Sequence, residues 1–393
     1  MNITTRLQLS ISLYYGYCGE HREKLEELLA LGGRKTLEMQ SVTGEIPYGG
    51  RSNQFLHNEA VLAAVCEFEA QRYWKAGEKE LAGRYKAAAD LTAACLEKYL
   101  EDRQLYHIKN KYPADSFFGC EDYAYFDKYM VTTASFLYAA YLFAEDSIEP
   151  VSCPLRKEAY IFRTSPYFHK TMVKFGEYFV EYDTDADVHY DANGLGRIHR
   201  KGAPSPICLS VPIPQNPLYR IDLENPSALS VCGGICPEED GTFDCEDSTI
   251  GCKNGIFGCE PGTEYQMIDK SVTRDKAEIT WLCTLQNGMC YTEKCTVSAK
   301  GVLLQFESNT EETGAKMCCL LPAFARDGKQ ETKISAEEKQ FCIAYEGWQC
   351  RYRTDGELQD LHRLYANRNG HYRAFTAKGR KNRTVGVTIC PLL

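Results

Sequence analysis

Between positions 51 and 59 the chain sets Arg51, Ser52, Asn53, Gln54, His57, Asn58 and Glu59, directly after a Gly49-Gly50 pair and directly before an apolar run. Amides hydrogen-bond hydroxyls, a guanidinium grips a carboxylate, and imidazole or carboxyl groups move protons. At helical spacing Asn53 and His57 share one face, and Gln54 and Asn58 share the next. Glu59 falls on the stripe of Phe55, Leu62 and Cys66. Apolar surroundings disfavour a carboxylate and raise its pKa towards the range of a general acid. The glycines let the backbone turn sharply and approach a ligand, and Ser52 is the expected N-cap of a helix starting near Ser52 or Asn53.

Two further stretches carry chemistry. In FFGCEDYAYFDKY (117–129), Glu121 and Asp122 stand at an expected loop-to-helix boundary, where a helix N-terminus favours negative charge. Asp122, or Glu121, is the candidate base or nucleophile paired with Glu59. Tyr123 and Tyr125 are candidates for sugar stacking or proton transfer. In DTDADVHYDANGLGRIHRKGAPSP (183–206), His189, His199, Arg200 and Lys201 read as a loop able to bind an anion. The plain alternatives are helix caps, a structural histidine and a solvated basic turn. Asp183, Asp185, Asp187 and Asp191 superficially suggest a calcium loop but lack the closing Glu. Cys232, Cys236, Cys245, Cys252 and Cys259 include no C-x-x-C pair, which departs from structural zinc spacing. No metal or cofactor is expected. Phosphate-loop, HExxH and G-x-S-x-G patterns are absent from the sequence.

The elements that must position these residues divide in two. Residues 1–150 read as helices: one along Leu7, Ile11 and Tyr14, one over 23–31 closed by Gly32-Gly33, then 52–73, 78–99 and 123–144. From about residue 171 apolar and polar residues alternate between Asn-Gly, Asp-Gly and Lys-Gly turns, so residues 151–393 read as an antiparallel β-domain. Helices first and strands second predict an α+β chain of two segregated domains.

Composition narrows the function classes. A length of 393 residues suits two domains, and 44% hydrophobic with 25% charged residues is ordinary for a globular protein. A net charge of −9 argues against nucleic acid or an anionic membrane as partner. The 26 Tyr residues suit sugar contacts and strand packing alike. No signal peptide and no membrane span is legible, so the expected location is cytoplasmic, and the 19 Cys read as reduced thiols. Self-association is left open.

The helical half carrying GGRSNQFLHNE, followed by a strand-rich half entered through HYDANGLGRIHRKG, resembles the heparinase II/III-like two-domain carbohydrate-active proteins. Within that group it is most similar to glycoside hydrolase family 154, the β-glucuronidases. The resemblance implies an (α/α) toroid, here partial, followed by an antiparallel β-sandwich. It also implies a uronic-acid-containing oligosaccharide as substrate.

Three functions follow. The first is hydrolysis releasing β-linked glucuronic acid, with Glu59 as acid and Asp122 or Glu121 as base or nucleophile. Arg51, His199, Arg200 and Lys201 would hold the uronate carboxylate. Asn53, Gln54, His57 and Asn58 would bind the sugar. The second is β-elimination by a polysaccharide lyase, with Arg51, Asn53 and His57 neutralising the carboxylate and Tyr123 or Tyr125 as base and acid. The third is glycan binding without turnover.

Overall fold

The computed structural model describes residues 3–101, 104–151, 159–224, 226–237, 255–309, 315–379 and 383–393. The described chain is α+β and separates into two compact units. The first comprises residues 1–47, 52–109 and 123–158; the second comprises 48–51, 110–122 and 159–393.

The first unit is built from α1 (Ile3–Tyr14), α2 (Arg22–Met39), α3 (His57–Lys75), α4 (Lys79–Glu97) and α5 (Phe126–Phe143). The sequence of α3 explains its central place. Ala60 to Cys66 are all buried, and a helix that is apolar all round must be enclosed by its neighbours. One side of α3, through Leu62, Cys66, Ala70 and Tyr73, joins Ala82, Tyr85, Ala88 and Ala89 of α4. The other side, through Val61, Ala64, Val65 and Phe68, joins Leu7, Leu29, Ala139 and Phe143.

Gly32-Gly33 does not close a helix, because α2 runs straight through it. The glycines serve close approach instead. A Cβ on Gly33 would lie 2.9 Å from both Glu69 Cδ and Tyr85 Oη, and one on Gly32 would lie 2.8 Å from Arg6 Nε. The bare backbone leaves room for the buried ion pairs of Glu69 with Arg6 (3.4 Å) and Arg72 (2.6 Å).

The second unit is antiparallel throughout its described ladders. An eight-stranded sheet runs in space through Lys333–Glu337, Gln340–Tyr345, Trp348–Thr354, Thr384–Leu392, Gly301–Ser308, Cys290–Ser298, Lys276–Thr284 and Glu264–Val272. A five-stranded sheet is ordered Glu357–Asn367, Gly370–Lys378, Ala315–Arg326, Cys232–Pro237 and Ile256–Phe257. A four-stranded meander joins Tyr160–Arg163, Lys170–Phe175, Tyr178–Asp183 and Gly194–Arg200. All three sheets feed one apolar core. The period-two pattern explains this: Ala277, Ile279, Trp281 and Cys283 point in while their neighbours are half-buried. In this unit the strands begin at Tyr160, earlier than the alternation predicts. Residues 194–200, expected within a loop, form a strand buried along nearly its whole length.

No disulfide joins any of the sixteen described cysteines. Cys245 and Cys252 lie outside the described residues. Among the described residues no helix is long and apolar enough to cross a membrane.

Candidate functional site

Helix α3 starts at His57, five residues later than Ser52, and its N-cap position is Leu56. Ser52 therefore does not cap it, and Asn53 and Gln54 precede the helix instead of sharing its faces with His57 and Asn58. The cause is Gln54, whose φ of +68° is left-handed and cannot continue a right-handed turn. Three hydrogen bonds hold that conformation: Gln54 Nε2 donates to Asn53 Oδ1 (2.9 Å), the Lys109 amide donates to Gln54 O (2.9 Å), and Asn58 Nδ2 donates to Ser52 O (2.6 Å). A non-glycine residue held at positive φ costs free energy and concentrates at functional sites.

Asn53, Gln54 and His57 are all buried. The His57 ring centroid lies 5.0 Å from that of Tyr129, which stacks on Phe55 at 4.5 Å. Burial pushes His57 down to about 4, so the imidazole is neutral at pH 7. Its Nδ1 is buried with no hydrogen-bond partner among the described residues. Neighbouring His107 is likewise lowered to about 4 by burial.

Glu59 is fully buried and burial raises its pKa, the direction its apolar stripe implies. Its surroundings add what the stripe did not reveal. Lys109 Nζ lies 2.8 Å from Glu59 Oε1 and 2.9 Å from Glu45 Oε2, making a carboxylate–ammonium–carboxylate cluster with all three side chains buried.

Glu121 and Asp122 are not at a helix start, since α5 begins at Phe126 with Tyr125 in the N-cap position. Glu121 is instead gripped by Arg368, whose two terminal nitrogens lie 2.6 and 3.1 Å from its two oxygens. The same guanidinium donates to the carbonyls of Gly119 (2.9 Å) and Arg51 (2.8 Å) and lies over the Tyr219 ring at 4.4 Å. Asp122 and Arg51 are exposed. Tyr123 is half-buried beneath the Lys128 ammonium, and Tyr125 is 56% exposed. Glu59 belongs to the first unit, and Glu121 and Asp122 belong to the second.

His199 and Arg200 diverge because they lie on a strand, where successive side chains face opposite ways. His199 points inward, buried, with Nε2 3.1 Å from Ser210 Oγ. Arg200 points outward to Glu177 (3.2 Å) and donates to Pro391 O. Lys201 follows in an exposed turn.

At the acidic run 183–191 the cation is an ammonium group of the protein itself. Lys170 donates to Asp183 and lies 3.2 Å from Asp191, its Nζ 3.8 Å from the centre of the Tyr48 ring. His169 also bonds Asp183. The neighbouring Glu181 pairs with Arg197 at 3.0 Å. The charge contacts to Lys170 and His169, together with their hydrogen bonds, outweigh burial and hold Asp183 below the usual carboxylate range. Burial pushes Asp191 up to about 6 and Glu181 up to about 7. Among the described residues no cluster of three or more His, Cys, Asp or Glu could hold a metal ion.

The residues that sequence spacing did not single out include Tyr112, Asp222, Arg326 and His371. Tyr112 Oη lies 2.6 Å from His371 Nδ1, and His371 Nε2 lies 2.6 Å from Asp222 Oδ1. Arg326 Nε donates to Tyr112 Oη at 3.2 Å. Their positions span residues 112 to 371, so no window of sequence displays them together. A local signal was the Asn369-Gly370 dipeptide: the hairpin turns at Arg368 and Asn369, between the paired Asn367 and Gly370, and His371 follows.

No protein-family model matches the chain, and no curated protein matches it. Among solved structures it is similar to a heparinase III gene product with methylated lysines, at 10% identity and a TM-score of 0.43 over 99% of this chain and 58% of that one. It is similar also to a structure titled heparinase III, at 8% identity and a TM-score of 0.43 over 99% and 61%. A third is heparan sulfate lyase HepC from Pedobacter heparinus, at 12% identity and a TM-score of 0.39 over 99% and 59%. The chain thus spans about three fifths of the length of the structures it resembles.

Proposed function

We propose that this chain is a polysaccharide lyase that cleaves uronic-acid-containing glycans by β-elimination, on a partial (α/α) toroid joined to a β-sandwich. The observation that carries the choice of elimination over hydrolysis is the buried ion pair of Glu59, the acid of the hydrolytic reading. Hydrolysis requires an acid and a base or nucleophile flanking the bond. Glu59 is held by Lys109 and Glu121 by Arg368, each in a buried ion pair. A carboxylate in such a pair neither donates a proton nor attacks without first leaving a charge buried and unpaired.

Elimination places no such demand. It needs a donor or cation on the uronate carboxylate, so that the C5 proton becomes acidic, and a base to take that proton. The uronate itself comes from the resemblance carried by GGRSNQFLHNE and HYDANGLGRIHRKG. Asn53, Gln54 and the neutral His57 form a polar, buried helix start suited to a sugar ring and its hydroxyls. Hydrolysis of a terminal β-glucuronide, the reading that places Glu59 and Asp122 in the acid and base roles, remains the competing chemistry.

The test is incubation of the chain with heparan sulfate and with polygalacturonate, following ultraviolet absorbance. A rise marks the 4,5-unsaturated uronate made by elimination. Release of reducing sugar with no rise in absorbance contradicts the proposal.

A further inference from the structure

We propose that Cys208 with Cys350, and Cys236 with Cys318, form two disulfide crosslinks that brace the β-core when the chain folds in the presence of a disulfide oxidant. All four residues lie in the second unit. The crosslinks hold for elimination and hydrolysis alike, since neither chemistry uses these residues.

Sulfur-to-sulfur contact carries the assignment. Cys208 Sγ lies 3.2 Å from Cys350 Sγ, and Cys236 Sγ lies 2.7 Å from Cys318 Sγ. Non-bonded carbon atoms rest about 3.5–4.0 Å apart, and sulfur is larger than carbon. Each pair is therefore crowded as two thiols, and a bond of about 2.05 Å relieves the crowding. All four side chains are buried in the one apolar core, so neither pair relaxes by swinging into water. Spacing along the chain gives no hint of either pair, because the partners stand 142 and 82 residues apart.

The fold leads the chain to each contact by a different route. Cys208 ends the short 3-10 turn Ser205–Ile207, which follows the meander strand Gly194–Arg200. Cys350 lies on Trp348–Thr354 of the eight-stranded sheet, where the alternation turns it inward together with Tyr352. Tyr352 Oη donates to Cys208 O at 3.3 Å, so the Cys208 backbone is already docked on that strand. A bond here fastens the exit of the meander to the eight-stranded sheet. In the five-stranded sheet the ladder pairs Cys236 with Lys316 and Gly234 with Cys318. Cys236 and Cys318 therefore share a face and sit diagonally across the two strands. Gly234, directly opposite Cys318, places no side chain there to keep the sulfurs apart, and Cys318 Sγ lies 3.3 Å from Gly234 O. Both bonds close long loops of the unfolded chain, the case in which a crosslink stabilises most.

The oxidant is a small disulfide such as oxidised glutathione. One cysteine thiolate attacks it, forms a mixed disulfide and releases one glutathione thiolate. The partner thiolate attacks the protein sulfur of that mixed disulfide, forms the crosslink and releases the second glutathione. The two protons lost by the cysteines end on the two glutathione thiols. Two protein thiols are oxidised and one glutathione disulfide is reduced. Burial pushes the Cys350 thiol well up, and a buried thiol is a poor source of thiolate. The exchange therefore belongs to the folding chain, before the core closes.

The experiment produces the full chain in two bacterial hosts, one with a reducing cytoplasm and one with an oxidising cytoplasm. Each protein is unfolded in guanidinium with an alkylating agent and no reductant, digested, and its peptides weighed before and after reduction. From the oxidising host the Cys208 peptide is joined to the Cys350 peptide, and the Cys236 peptide to the Cys318 peptide. Variants resolve the peptides that hold two cysteines. Cys350→Ala opens Cys208 to alkylation while Cys342→Ala leaves it protected, and Cys318→Ala opens Cys236 while Cys319→Ala does not. The crosslinked wild-type protein melts about 5–15 °C above the protein from the reducing host. Each pair is judged on its own peptides. Cysteines alkylated throughout in the protein from the oxidising host overturn the assignment, and so does a bond from any of the four to a different cysteine. A melting temperature equal in the two proteins overturns the bracing.

Discussion

Lys109 Nζ stands 2.8 Å from Glu59 Oε1 in a fully buried contact, and it is shared with Glu45 at 2.9 Å. One ammonium thus balances two carboxylates inside the helical unit. The pair fixes what Glu59 does, and it underlies the preference for elimination.

Removing the ammonium leaves two buried carboxylates facing each other. Lys109→Met is expected to cost about 3–5 kcal/mol in urea unfolding, the range for breaking a buried ion pair from one side. Glu59→Gln keeps one carboxylate for Lys109 and is expected to cost less, about 1–2 kcal/mol. It is also expected to retain most of the elimination rate. A folded Glu59→Gln protein with no turnover would restore Glu59 as the proton donor.

His57 and His107 give the first unit an acid sensitivity. Both are lowered to about 4 by burial, below the 6.5 of an exposed imidazole. The folded state therefore binds fewer protons than the unfolded state between those values. The stabilisation is complete above pH 6.5 and is lost as pH falls towards 4, by up to about 3 kcal/mol for each histidine. Urea midpoints at pH 7 and pH 4.5 measure it. Replacing both histidines with glutamine is expected to flatten that difference.

Glu293 acts in the opposite direction. Buried in the β-core with Tyr182 Oη donating to it at 2.8 Å, it is raised to about 8. The folded state holds its proton where the unfolded state has lost it, so stability falls as pH rises from 4.5 to 8. Glu293→Gln keeps the shape and removes the titration. The variant is expected to melt several degrees above wild type at pH 8 and near it at pH 4.5. Equal shifts at both pH values would contradict a protonated Glu293.

Arg368 binds both oxygens of Glu121 and two main-chain carbonyls, which only a planar fork of donors achieves. Arg368→Lys is expected to cost about 2–3 kcal/mol despite keeping the charge. Calorimetric melting of the variant checks this.

Much of the fold was legible in local pattern. The apolar run after His57 announced a buried helix, and the alternation around Trp281 and Tyr291 announced inward-facing strands. What misled were residues whose role is set by distant partners. Gly32-Gly33 reads as a helix stop until Arg6, Glu69 and Tyr85 are seen to crowd it. Gln54 gives no warning of its positive φ, so spacing alone starts the helix at Ser52 or Asn53, ahead of its true start at His57. The stretch containing His199, Arg200 and Lys201 looked like a loop because its glycines and charges resemble one, although the strand buries His199 against Ser210. Glu59 showed its apolar stripe but not Lys109, which lies 50 residues away. The same distance effect hid Tyr112, Asp222, Arg326 and His371.

The central claim is that cleavage proceeds by elimination, and product mass decides it most directly. Heparan sulfate and polygalacturonate are digested to small oligosaccharides by the full chain and weighed. The account predicts that each newly formed non-reducing end is lighter by one water than the corresponding hydrolysis product. New ends carrying the full mass of water would contradict it and return the chemistry to hydrolysis.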